Sequence, residues 1–189
     1  QGYYMEAFKF YFSKGNHRLS LVSQREPMVI KHIRLYRENE IPTYSEVLAK
    51  YRENGYKNAT VDQPIEIQAE DASAKSSPML YPVTDRSSPA VKPSSPSKIR
   101  INTIGGNNWR ESGDWIEWEI DVPETGLYHI GFNLKQNFVR GSYVARKLMI
   151  DGVVPFREMS EIQFYFSSDW RQEILGGEEP YLFYLSEGK

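Results

Sequence analysis

An all-β, jelly-roll-like antiparallel β-sandwich with one connecting helix is the fold that this sequence predicts. Three observations carry that expectation. Short apolar–polar alternations recur along the chain, separated by turn signals such as Pro123-Glu124-Thr125-Gly126 and Asp151-Gly152. Aromatics make up 14% of the 189 residues, with 13 Tyr, 9 Phe and 4 Trp, a composition suited to pleated, half-buried surfaces. A convincing helix-start signature occurs once, at Thr43.

In chain order, Phe8, Phe10 and Phe12 alternate with Lys9 and Tyr11 as in a strand. A Gly15-Asn16 turn leads to Leu19 and Leu21, and Val29 to Tyr36 forms a third strand. Thr43 and Glu46 then make a capping-box pattern after Pro42. Val47, Leu48 and Tyr51 share a helical face, and Gly55 marks the stop. Ile65 to Glu70 opens a new module as its first strand. Residues 84–98 are rich in Ser and Pro, which excludes a central strand and favours an extended loop draped over the module. Ile99 to Asn102 returns to strand. From Trp115 to Val122, Ile116, Trp118, Ile120 and Val122 face the core, and Trp115, Glu117, Glu119 and Asp121 face outward. Tyr128, Ile130, Phe132 and Leu134 face the core from the next strand. Tyr143–Ile150, Ile162–Phe166 and Tyr181–Leu185 complete the set.

A self-match sets the expected domain organisation. Residues 6–15, EAFKFYFSKG, and 179–188, EPYLFYLSEG, are identical at five of ten positions. The alternatives are chance similarity between two hairpin arms and a tandem repeat, and the repeat is preferred. Residues 1–37 are then the terminal strands of a preceding sandwich, 38–64 a helical connector, and 65–189 a sandwich truncated at its C-terminal end. The arm at 6–37 would fill the resulting gap within the chain, or between chains in a strand-exchanged homodimer.

Charge and composition narrow the function. A net charge of −2 leaves no basic footprint for nucleic acid. No apolar run reaches the ~20 residues of a membrane helix, so this segment is expected not to insert in a membrane. With no Cys, disulfides and thiol chemistry are excluded. His17, His32 and His129 lack metal-ligand spacing, and His129 reads as a solvated surface residue. A glycosidase needs two carboxyl groups opposed across a sugar bond. Glu117 and Glu119, with Asp114 nearby, stand side by side on one strand face, so no catalytic residue is assigned.

Binding has better candidates. The loop from Gly105 to Trp115 holds Asn107, Asn108, Trp109, Arg110, Asp114 and Trp115. Sugars pair aromatic faces with their C–H surfaces, and pair amides, carboxylates and guanidinium groups with their hydroxyls; this loop carries both kinds of group. The plain alternative is that Trp109 caps the core and the Asn residues stabilise turns. Asn137 and Arg140, in the loop Gln136 to Gly141, form a second candidate. Gln68 and Glu70 are a weak candidate for a structural calcium site, because calcium takes six or more oxygens. No other cofactor is expected.

The stretches IQAEDA (67–72), LYPVTDRSSPA (80–90), SKIRINTIGGNNW (97–109) and GDWIEWEIDVPETGLY (113–128), with QNFVRG, IDGVVPF, SSDW and EPYLFYLSEGK, form a combined pattern. That pattern resembles the carbohydrate-binding-like jelly-roll region of large bacterial extracellular solute-binding proteins of ABC transporters. EAFKFYFSKGNHRLSLVSQREPMVI is similar to the close of a preceding module in such proteins. The resemblance implies an extracellular or cell-surface location, an oligosaccharide or polysaccharide partner and no catalysis. IQAEDA also resembles the opening strand of sugar-binding modules that often carry two Glu for calcium, where this chain has Gln68 at one of the two positions. Two rival expectations remain: a structural or protein-interaction sandwich with no sugar ligand, and a fragment of a glycosidase.

Overall fold

The helix lies where the capping box places it in the computed structural model, which describes residues 10–25, 27–33, 35, 40–89, 91–95 and 97–188. Helix α1 (Tyr44–Glu53) starts at Thr43, whose side chain accepts from the Glu46 amide while its own amide donates to the Glu46 carboxylate at 2.7 Å. The Thr43 amide, and the Thr43 hydroxyl donating to the same carboxylate at 2.8 Å, hold the Glu46 carboxyl below its ordinary pKa. Gly55, at φ 67°, follows the Asn54 cap and takes the left-handed turn that ends the helix.

Eight short strands follow: β1 (Ala74–Lys75), β2 (Ile116–Glu117), β3 (Gly126–Tyr128), β4 (Gly131–Leu134), β5 (Tyr143–Arg146), β6 (Ile162–Tyr165), β7 (Arg171–Ile174) and β8 (Phe183–Leu185). The structure is thus predominantly β with α1 as the α-helix among the described residues. All four ladders are antiparallel: β1–β2, β3–β8, β4–β7 and β5–β6. The last three are nested. A bridge at Val122 and Gly188 encloses β3–β8, which encloses β4–β7, which encloses β5–β6. At the tip, the Leu148 amide donates to the Met159 carbonyl. Asp151-Gly152 forms a tight turn there, with both central φ angles positive (50° and 75°) and two 2.9 Å hydrogen bonds joining Ile150 and Val153. Residues 122–188 are therefore one long antiparallel hairpin whose arms run 122–148 and 159–188.

The core is built from the inward faces of these arms and from the helix. Val47 of α1 joins Phe156, Met159, Phe164, Leu175 and Phe183, with Phe156 and Phe183 completely buried. Tyr44 and Tyr51 pack against the same cluster. The Tyr44 hydroxyl accepts from the Leu182 amide at 3.0 Å, and the Tyr51 hydroxyl accepts from the Tyr184 amide at 3.4 Å. The helix N-terminus is tied in by the Glu158 carboxylate, which accepts from the Tyr44 amide at 2.9 Å. The segment expected as a connector is thus part of the core it leads to.

Several expected strands differ. Ile65 to Glu70 forms no strand: Ile65 and Ile67 are exposed, and Ala69–Asp71 is a single 3-10 turn. Ile99 to Asn102 forms no ladder, and the bridge lies at its end, between Val83 and Thr103. Alternation creates a strand only where a neighbouring edge completes its hydrogen bonds. No ladder pairs Ile65 to Glu70, and Ile99 to Asn102 meets its neighbour only at its end, where the Asn102 amide donates to the Val83 carbonyl at 3.1 Å. From Trp115 to Val122 the outward face is kept, with Trp115, Glu117, Glu119 and Asp121 exposed. Of the four residues expected in the core, Val122 is buried, Ile116 and Trp118 are half-buried, and Ile120 is exposed, because the ladder covers only β2 and the chain between it and the Val122 bridge is not held against a partner strand. The Ser/Pro-rich stretch is draped as expected. Val91 is buried, and the buried Asn102 side chain donates to the carbonyls of Asp85 and Pro93 and accepts from the Asp85 amide.

The chain divides into two units, Gln1–Asn39 and Glu40–Lys189. Residues 6–9, 34 and 36–37 of the expected arm strands lie outside the described residues. Among the described residues of the first unit no strand forms, and Phe10, Phe12, Leu19 and Leu21 are exposed. Two strands without a third, or without a packed apolar face, are marginal in water, and the exposed Phe10, Phe12, Leu19 and Leu21 form no such face. The Gly15 turn is present as a bend, closed by His17 Nε2 and the Ser13 carbonyl at 2.7 Å and by an edge-to-face contact of Phe12 with His17.

Candidate functional site

The two candidate loops meet. Gly106 opens a 3-10 turn through Asn108 at φ 63°, and a Cβ placed on it would lie 3.4 Å from the Phe138 ring. Phe138 belongs to the second loop, so residues 105–115 and 136–141 lie within van der Waals reach of one another there, and it is the left-handed φ at 106 that favours glycine. Asn107 is exposed on that turn and Asn108 is half-buried.

Trp109 is held rather than displayed. Its indole N–H donates to the Asp114 carbonyl at 3.1 Å. The Arg146 guanidinium lies over its ring, 4.2 Å from the centroid, and donates to the Trp109 carbonyl at 3.0 Å. Burial lowers the Arg146 pKa. One face and the polar edge of Trp109 are thereby occupied. Asp114 also has a holding role: one carboxylate oxygen accepts from the Ser76 hydroxyl at 2.8 Å, and that hydroxyl accepts from the Trp115 amide at 3.0 Å. This ties the loop to the residue after β1.

Besides Asn107, four of the named residues face solvent. Trp115 is 48% exposed, on the polar side of its strand as the alternation requires. Arg110 forms an exposed ion pair with Glu111 at 3.3 Å, which adds little stability. Asn137 and Arg140 are exposed in the second loop. That loop is shaped by Gln136, almost fully buried, whose side-chain oxygen accepts from the amides of Phe138 and Val139 at 3.0 Å each. Gln136 and Phe138 lie in the second candidate loop without being among its expected contact residues, and Arg146 lies outside both loops. Phe138, 55% exposed beside Gly106, is the most relevant to a ligand, and an aromatic next to Asn137 in a turn was its available signal.

Gln68 and Glu70 sit on a loop and a 3-10 turn rather than on a strand. The turn is pinned by the Trp118 indole, which donates to the Ala69 carbonyl at 3.0 Å. Both residues line an open depression of about 890 Å³, with Asp71 beside them and Lys92, Pro93 and Ile101 across it. One carboxylate oxygen of Glu70 is buried there without a hydrogen-bond partner. The Gln68 amide donates to Glu66 at 3.1 Å. Among the described residues no group of three His, Cys, Asp or Glu is placed to hold a metal ion. Glu117, at the end of β2, and Glu119, two residues beyond it, are both exposed to solvent. Among the described residues, no helix is long and apolar enough to cross a membrane.

No protein-family model, no curated protein and no solved structure matches this chain.

Proposed function

We propose that the Glu40–Lys189 unit is a non-catalytic, carbohydrate-binding jelly-roll module of an extracellular sugar-uptake protein of the ABC-transporter solute-binding type. The observation that carries the reading is the junction at Gly106 and Phe138. It joins two turns that present Trp115, Phe138, Asn107, Asn137 and Arg140 to solvent, aromatic surface beside amide and guanidinium donors. The nested hairpin of residues 122–188 supports the jelly-roll part, since that fold is a long antiparallel hairpin rolled into two layers. The carboxylates Glu117 and Glu119 are exposed two residues apart along one stretch of chain rather than on opposed elements, an arrangement that does not favour the glycosidase reading.

The test is a glycan array followed by calorimetry on the positive glycans. Binding is expected, weak for single sites, and is expected to fall on Trp115→Ala and on Phe138→Ala. A folded chain that binds no glycan on the array overturns the reading. The same titrations run with calcium and with chelator address Gln68 and Glu70. No cofactor is part of the proposal, so an unchanged melting temperature is expected and a rise with calcium would assign a structural cation there.

A structural or protein-interaction module is the second reading, and the occupied Trp109 favours it. Quenching of tryptophan fluorescence separates the two. Quenching that is lost in Trp115→Phe and relieved by glycan fits a binding loop, whereas quenching that glycan leaves unchanged fits a scaffold. A strand-exchanged homodimer would be seen as a doubled mass in light scattering.

A further inference from the structure

The β5–β6 ladder has an outward face that neither candidate loop includes. Tyr143 and Tyr165 are direct cross-strand partners, both exposed, with ring centroids 5.6 Å apart and planes inclined at 59°. The next rung on that face is Ala145 opposite Gln163, so the two rungs together carry no charged side chain. The Tyr165 hydroxyl donates to the Gln163 side-chain oxygen at 2.9 Å. This hydrogen bond orients two functions. The Tyr165 oxygen, its proton committed, retains lone pairs that accept, and the Gln163 amide retains N–H groups that donate. The rung therefore offers one acceptor and one donor side by side, flanked by aromatic faces. A hydroxyl group, which both donates and accepts, is the complement of that pair; a carboxylate or an ammonium group satisfies only half of it.

The face is also fixed in place. Arg171 donates to the Tyr165 carbonyl at 3.0 Å, and the Phe166 amide donates to the Ser142 carbonyl at 3.1 Å. Ser142 closes the turn organised by Gln136, so the tyrosine rung continues directly from the loop that carries Asn137, Phe138 and Arg140.

We propose that Tyr143, Tyr165 and Gln163 form a second saccharide subsite, taking pyranose units of a neutral polysaccharide whose chain also passes the 136–141 loop. This rests on the carbohydrate reading above and extends it from a single loop site to two contiguous sites on one polymer. Two contacts on one chain give a polymer an advantage over a short oligosaccharide that a single site does not.

The full chain is tested by affinity electrophoresis and calorimetry against xylan, mixed-linkage β-glucan and galactomannan. Polygalacturonate serves as the acidic contrast, and short oligosaccharides of each neutral polymer are run alongside. Three proteins are compared: wild type, Trp115→Ala/Phe138→Ala, and Tyr143→Thr/Tyr165→Thr. Threonine keeps the strand preference while removing the rings. The expected result is that the tyrosine variant keeps its melting profile and loses about tenfold in affinity for a neutral polymer, with a smaller loss for its short oligosaccharides. Tyr165→Phe, which keeps the ring and removes the acceptor, is expected to lose part of that. Polymer binding unchanged in the tyrosine variant overturns the inference while leaving the loop reading intact. Binding lost in the tyrosine variant but kept in the loop variant sustains the inference and overturns the loop site. No binding of any polymer by wild type overturns both. If the threonine variant is unfolded, Tyr165→Phe and Gln163→Ala decide, and unchanged affinity in both overturns the inference.

Discussion

Arg146 and Trp109 show how much a single pair decides at the scale of residues. The guanidinium covers the ring and ties the loop carbonyl to β5, so one residue links the candidate loop to the ladder. Arg146→Met is expected to cost about 1–2 kcal/mol and to red-shift tryptophan emission, read by chemical denaturation and fluorescence. This link was not legible in the sequence, because it joins residues 37 positions apart and no local pattern records it. Asp85 is a second such residue. Burial raises its pKa, but hydrogen bonds from Lys135 and Ser87 outweigh this and hold the carboxyl at about 2, with Lys135 Nζ 2.6 Å away. A carboxyl depressed in the folded state contributes stability that is complete above its unfolded pKa of about 3.9 and is lost as pH falls towards the folded value. The urea midpoint of wild type is therefore expected to fall between about pH 4 and pH 2, and Asp85→Asn is expected to flatten that fall.

Elements here are held by what lies at their edges. The Leu127 amide donates to the Lys57 carbonyl and its carbonyl accepts from the Ala59 amide, so its partner Tyr184 sits in a non-hydrogen-bonded pair and directs its own amide away from β3. That amide, and the Leu182 amide two residues earlier, meet the hydroxyls of Tyr51 and Tyr44. Helix α1 thus closes an edge that would otherwise offer unpaired groups to a neighbour. Tyr44→Phe/Tyr51→Phe is expected to lose about 2 kcal/mol by denaturant melting and to promote association at high concentration. On the other side of β3, a Cβ added at Gly126 would lie 2.8 Å from the Ala59 amide nitrogen. Gly126→Ala is expected to push residues 57–59 off the strand at a cost of about 2 kcal/mol. The elements legible in the sequence are the ones set locally: Thr43 with Glu46, Asp151 with Gly152, and the alternation from Trp115 to Glu119, which breaks at the exposed Ile120. Strand β7, Arg171-Gln172-Glu173-Ile174, has no apolar alternation and exists because β4 lies beside it. Ile65 to Glu70 fails for the opposite reason, a strand-like pattern without a neighbouring edge.

For the molecule as a whole, the candidate site divides by where its residues point. Trp115, Asn137 and Arg140 are exposed as a binding reading needs, whereas Trp109 and Asp114 are spent on holding the loop. Their chemistry was legible, but which of them would be consumed internally depended on Ser76 and Arg146, distant in the chain. Glycan binding that responds to Trp115→Ala but tracks stability alone in Trp109→Ala is the expected outcome, with the melting temperature measured beside the affinity. The nesting of residues 122–188 has a kinetic meaning as well. Once Leu148 and Met159 have met around the Asp151-Gly152 turn, every later rung closes only a short additional loop, so the entropy of bringing distant residues together is met in small steps. The ladder is then built like a zip fastener from its tip. Val122 and Gly188, the outermost pair, are joined last and are the first to part, and amide exchange should quicken from the turn outward to that pair.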